Sequence, residues 1–141
     1  MQHINPTDKE IYQLLVDTKT IAMIGASANP EKTSHGIMHK LQSVGYRVIP
    51  VNPNETEILG EKCYASLSAI PVKVDLVNVF RKAETTAPIA HEAVKIKAKY
   101  LWLQLGIINE ETAIIAKQGG VTVVMDACIA VMHAILKVPN K

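Results

Sequence analysis

Five short apolar runs, at residues 21–24, 47–51, 74–80, 100–105 and 121–125, alternate with segments whose apolar residues recur at helical spacing. That alternation limits the chain to few folds. Runs rich in Val, Ile and Leu suit strands covered on both faces, and strands separated by helices pair in parallel through right-handed crossovers. The prediction is an α/β fold, a three-layer αβα sandwich around a five-stranded parallel sheet.

Local signals place the helices. Thr7 and Glu10 make a capping box ahead of Ile11, Leu14 and Leu15, so a helix should pack over one sheet edge before the first strand. A second helix, about residues 34–44, carries Ile37, Met38, Leu41 and Val44 on one face and stops at Gly45. Residues 52–70 read as an irregular excursion with one helical turn near 66–69. Thr85 or Thr86 is expected to cap a helix running to about Ala98, with Ile89, Ala93 and Val94 inward. Asn109 caps the next, with Glu110 and Glu111 in its first turn and Gly119-Gly120 at its end. Residues 128–136 close the fold with a last helix.

The stretch from Thr20 to Pro53 reads as strand, small-residue loop, helix and strand. Gly25 ends the first apolar run, and Ala26, Ser27, Ala28, Asn29 and Pro30 follow, side chains small enough for a ligand to approach the backbone. Thr33 or Ser34 is the expected cap of the helix beyond. First-turn amides have no intrahelical partner and lie at the positive end of the helix dipole, which suits a phosphate. In such sheets ligands bind past the carboxyl ends of the strands, where strand order reverses. Those ends present Gly25, Asn52, Phe80-Arg81 and Gln104-Leu105-Gly106.

Bulk properties narrow the partners. The 141 residues suit one domain, long enough to bury roughly two thirds of the unfolded surface. The net charge is +2, the basic residues are scattered, and one Trp, four Tyr and one Phe leave little for base stacking, so no nucleic-acid surface is expected. No apolar run is long enough to cross a bilayer and no secretory leader is recognisable, so a cytoplasmic protein without membrane contact is expected. Cys63 and Cys128 have neither CxxC spacing nor zinc-finger histidines, and reduced thiols are the default.

A nicotinamide dinucleotide is the obvious ligand to test. The fingerprint G-x-G-x-x-G fails, because Ser27 and Pro30 hold its second and third positions. The second strand ends in Val51-Asn52-Pro53, with no acid for the ribose hydroxyls. There is no GxxxxGK[ST] either. What remains is an anion site with Lys32 in the loop and hydroxyls at Ser27, Thr33 and Ser34.

Six blocks then carry a resemblance: GASANPEKTSHG, PVNP, ILGEKCYASL, VDLVNVFRKAE, LWLQLGIINEE and VVMDACIAVMH. In this order, over about residues 15–136, they resemble the small stand-alone CoA-binding domain proteins, similar in fold to the CoA-binding N-terminal domain of the succinyl-CoA synthetase alpha subunit. The resemblance implies a Rossmann-like domain that binds coenzyme A. It implies that Gly25, Ala26 and Ser27 approach the pyrophosphate, with Lys32 and the Ser34-His35-Gly36 helix start adding phosphate contacts. Val51, Asn52 and Pro53 would shape the adenosine side. Phe80, Arg81, Gln104, Leu105 and Gly106 would line the rest of the cleft, Arg81 being able to pair with a phosphate bidentately. The family carries a basic residue between Asp and Cys of its last block where this chain has Ala127, which speaks against chemistry at Asp126, Cys128 and His133.

Each feature also has a plainer reading. The Gly25 loop can be only a tight turn, Lys32 a solvated lysine and His35 a surface residue. Trp102 is read as core or an interface anchor. Cys128 and His133 lie five apart, off the three- or four-residue spacing at which helical neighbours meet, and Cys63 is read as structural. The expectation is therefore recognition of coenzyme A or an acyl-CoA without chemistry of its own. The alternatives are an NAD(P)-dependent oxidoreductase and a component of an acyl-CoA ligase, and the macromolecular partners left open are a second copy of the chain or a ligase-type chain.

Overall fold

A computed structural model describes residues 2–141. The capping box forms: Thr7 Oγ1 accepts from the Glu10 N–H at 3.2 Å and Glu10 Oε1 accepts from the Thr7 N–H at 2.9 Å, starting helix α1 (Asp8–Asp17). Strand β1 (Thr20–Ile24), helix α2 (Thr33–Ser43) and strand β2 (Arg47–Val51) follow. Gly45, at φ +103°, makes the turn out of α2.

The excursion after β2 holds a hairpin that the sequence reading lacked, β3 (Glu57–Ile58) and β4 (Glu61–Lys62), turned by Leu59 and Gly60 at φ 49° and 80°. Two consecutive positive φ values match the tight hairpin turn that follows sheet twist. A 3-10 turn at Leu67–Ala69 supplies the expected helical turn.

Strand β5 (Leu76–Val79), helix α3 (Ala87–Lys95), strand β6 (Tyr100–Leu103), helix α4 (Glu110–Gln118), strand β7 (Thr122–Val124) and helix α5 (Ile129–Ile135) complete the chain. Asn109 caps α4, its side chain accepting from the Thr112 N–H at 3.2 Å. Neither Thr85 nor Thr86 caps α3 with its side chain. The Thr86 hydroxyl bonds the Ala83 carbonyl and the Thr112 hydroxyl, and α3 ends at Lys95, ahead of Lys97 at φ 61°.

The five long strands form one parallel sheet in the order β2-β1-β5-β6-β7. Alternate residues go to opposite faces. Ile21, Met23, Leu76 and Trp102 join Leu14 and Leu15 of α1, Met38 and Leu41 of α2 and Ile129 of α5 in one core cluster. Ala22, Val77, Val79, Leu101 and Leu103 join Ala90 and Ala93 of α3 and Ala113 and Ala116 of α4 in the other. The alanines let α3 and α4 approach closely. Trp102 is fully buried and its Nε1–H donates to the Ala127 carbonyl at 2.8 Å, so it belongs to the core. The architecture is the three-layer, Rossmann-like α/β fold expected from the sequence. No helix among the described residues is long and apolar enough to cross a membrane.

Candidate functional site

Because β2 and β5 flank β1, strand order reverses at β1, and the loops after β1 and β5 leave the sheet in opposite directions. That divergence opens a crevice at the carboxyl edge. Gly25 stands at its base with φ +84°, and a Cβ on it would lie 2.1 Å from the Phe80 carbonyl oxygen, so only glycine fits. The Gly25 N–H donates to the Val51 carbonyl at 3.1 Å and the Phe80 N–H to the Ile24 carbonyl at 2.8 Å. Asn52 Nδ2 donates to the Ala26 carbonyl at 2.8 Å, while its Oδ1 accepts from the Asn54 N–H at 2.9 Å. Asn52 thus holds the loop in place with the groups that would otherwise face a ligand.

The loop shapes itself with its own side chains. Ser27 Oγ accepts from the Asn29 N–H at 3.1 Å and Asn29 Oδ1 from the Glu31 N–H at 2.9 Å. The Lys32 N–H bonds the Asn29 carbonyl, and the chain enters α2 with Lys32 as N-cap. The expected cap at Thr33 or Ser34 is therefore corrected: helix geometry begins at Thr33, and no side chain bonds the first turn. Among the described residues the N–H groups of Ala26, Ser27, Ala28, Thr33 and Ser34 have no hydrogen-bond acceptor. Lys32 is exposed, Ser34 is buried, His35 is half-buried, and a Cβ on Gly36 would meet nothing within 4 Å, so the helix start is uncovered.

Beside the loop, on the α3 side of the sheet, lies a cleft of about 390 Å³. Ile24 and Val51 form its floor, Ala65, Ser66 and Leu67 one wall, and Arg81, Thr85, Ile89 and Glu92 the other. The Arg81 guanidinium makes no hydrogen bond or salt bridge among the described residues. Of the residues singled out in the sequence, Val51 and Arg81 line this cleft, while Gly25, Asn52 and Phe80 build its edge. Pro53 is exposed beyond β2. The wall at 65–67 has no local sequence signal, because a parallel bridge between Val51 and Tyr64 sets the return path of the excursion. Ile89 and Glu92, three apart on α3, carry a legible signal: they share one helical side.

The loop after β6 lies further along the same edge. Gln104 is buried, with its Oε1 accepting from the Ile129 N–H at 2.9 Å, and Leu105 is 71% exposed. The Gly106 N–H donates to Asp126 Oδ1 at 2.8 Å, tying this loop to the one after β7. Asp126, Cys128 and His133 form no hydrogen bonds with one another among the described residues. His133 packs edge-on to Tyr46 with ring centroids 5.8 Å apart. Cys63 is buried and donates to the Asn52 carbonyl at 3.4 Å, burial pushing its thiol above the ordinary range. No group of three His, Cys, Asp or Glu able to hold a metal occurs among the described residues. A separate cavity of about 440 Å³ runs from the His3–Pro6 segment to the amino end of β7, away from the carboxyl edge.

A five-stranded parallel sheet with a glycine loop at its switch point, a helix start without a side-chain cap and an adjoining cleft defines an α/β protein of the Rossmann-like type. The chain belongs to the CoA binding domain family, whose profile matches residues 19–134. It is 43% identical over 133 residues to the uncharacterized protein YneT of Bacillus subtilis, covering 94% of this chain and 98% of that one. A solved structure, a hypothetical protein from Pyrococcus horikoshii, superposes with a TM-score of 0.91 at 36% identity over 97% of this chain and 99% of that one. The chain is also 31% identical over 125 residues to an ADP-forming acetate–CoA ligase of Archaeoglobus fulgidus, an alignment covering 82% of this chain and 18% of the ligase.

Proposed function

We propose that this protein binds coenzyme A or an acyl-CoA across the carboxyl edge of its sheet, as one CoA-binding domain acting by recognition without chemistry of its own. The reading rests on one observation above all. In a member of this family, five loop and helix-start amides, from Ala26 to Ser34, are left without acceptors at the switch point. Amides so placed bind an anion with little rearrangement. Lys32 and the Ser34-His35-Gly36 start add charge and donors for the phosphates, and Arg81 supplies a planar cation from the facing wall. Gln104, Leu105 and Gly106 extend the edge along which the pantetheine arm runs. The composition and the two free thiols favour a cytoplasmic setting.

Asn52 argues against a nicotinamide dinucleotide. It stands at the end of β2, where an acid would hold the ribose, and its amide is committed to Ala26 and Asn54. The likeness to the ligase favours a second reading, a ligase component acting with a separate partner chain.

The test is isothermal titration of the purified, reduced protein with coenzyme A, NAD and NADP at equal concentrations. Micromolar binding of coenzyme A alone is the expected result. Binding of NAD, or of none of the three, overturns the proposal.

A further inference from the structure

We propose that the cleft beside the loop takes the adenine base of the coenzyme and that Glu92 reads its 6-amino group. This rests on the coenzyme reading above and goes beyond it by assigning a base pocket and the residue that selects the base. Ile24, Val51, Leu67 and Ile89 give the cleft apolar walls, which suit a flat ring rather than a phosphate. One carboxylate lines it, that of Glu92.

Glu92 Oε2 accepts from the Ser68 N–H at 3.1 Å and from the Ser68 hydroxyl at 2.8 Å. Those two bonds hold the side chain between α3 and the 3-10 turn. Oε1 has no donor among the described residues. An ionised carboxylate only accepts hydrogen bonds, so the ligand group that meets Oε1 must carry N–H or O–H and cannot be a phosphate oxygen. Adenine presents an exocyclic amine with two N–H groups on a planar apolar body. Hypoxanthine differs at that position by a carbonyl oxygen, which would face the carboxylate with lone pairs against lone pairs. Glu92 is half-buried in the free protein, and an acceptor that a bound analogue covers without giving it a donor is how sites of this kind reject that analogue. The placement also orders the ligand. With the base on the β2 side, the phosphates fall at the Gly25 loop and the pantetheine arm points toward β6.

The experiment compares coenzyme A with its hypoxanthine counterpart by titration calorimetry, on the wild-type protein and on Glu92→Gln. The wild type is expected to bind the hypoxanthine form about tenfold or more weaker. A glutamine amide still accepts from Ser68 and can donate to the hypoxanthine carbonyl, so E92Q is expected to bring the two affinities within about threefold. A purely structural role for Glu92 would weaken both ligands alike and leave their ratio unchanged. Equal wild-type affinity for the two bases overturns the assignment while the coenzyme reading stands, and that comparison needs no variant to fold. Failure to bind coenzyme A itself overturns the coenzyme reading instead.

Discussion

Gly25 and Phe80 stand so close at the switch point that the α-carbon of one faces the carbonyl oxygen of the other, with no room for a Cβ between them. The loop glycine is therefore required by packing as well as by any ligand. A Gly25→Val change adds a side chain against backbone at a positive φ that β-branched residues avoid. It is expected to lower stability by about 2–5 kcal/mol, through backbone strain and overpacking together. Urea denaturation checks this, and an unshifted midpoint would show that the β1 and β5 ends can separate at little cost.

Lys32 is better suited to test the phosphate site. Its side chain is exposed and makes no hydrogen bond among the described residues, and its backbone already has the extended geometry of an N-cap, φ −82° and ψ 141°. Lys32→Ala should leave the fold intact and weaken coenzyme A by about 1–3 kcal/mol, the size of a charge-assisted contact. Titrations at low and high salt should show a shallower salt dependence in the variant. An unchanged affinity would remove Lys32 from the site.

What the sequence makes legible here is local, and what it hides is long-range. The capping box at Thr7 and Glu10, the Asn109 cap and the five strands rest on neighbours in the chain, and all are present. The start of α2 was misread because Thr33 and Ser34 have capping side chains. The turn built by Ser27 and Asn29 delivers Lys32 to that position first. Glu92 and Leu67 could not be joined into one cleft from their spacing, since Ser68, the residue that docks one wall on the other, lies 24 positions from Glu92. Asn52, expected to shape the adenosine side, also braces the Ala26 carbonyl, a contact across 26 positions that no local pattern announces.

Asn78 lies within the apolar run of the third parallel strand, and the fold makes it conspicuous. It sits in the middle of β5 between Met23 of β1 and Trp102 of β6, fully buried, and neither Nδ2 nor Oδ1 has a hydrogen-bond partner. Two desolvated polar atoms without compensation destabilise the native state. Asn78→Leu, close in size and apolar, is therefore expected to raise stability by about 1–3 kcal/mol in chemical denaturation. A loss of stability would mean that the amide is satisfied in solution, and the orphaned state would have to be abandoned.

His133 gives the fold a pH dependence whose sign can be worked out. The ring is 5% exposed, packs against Tyr46, and has its Nε2 buried without a partner. Burial, with smaller contributions from the positive charges of Lys40 and Lys141, holds its pKa below the ordinary 6.5. The unfolded chain takes up the proton at the ordinary value and the native state resists it. Between those two values the unfolded state therefore binds more protons, and stability falls as the pH falls. The loss should begin near 6.5 and continue until the lowered native pKa is passed. His133→Phe keeps a ring against Tyr46 and removes the titration. Urea midpoints measured from pH 7.5 to pH 5 should fall less in this variant than in the wild type, and parallel profiles would assign the acid sensitivity to other groups.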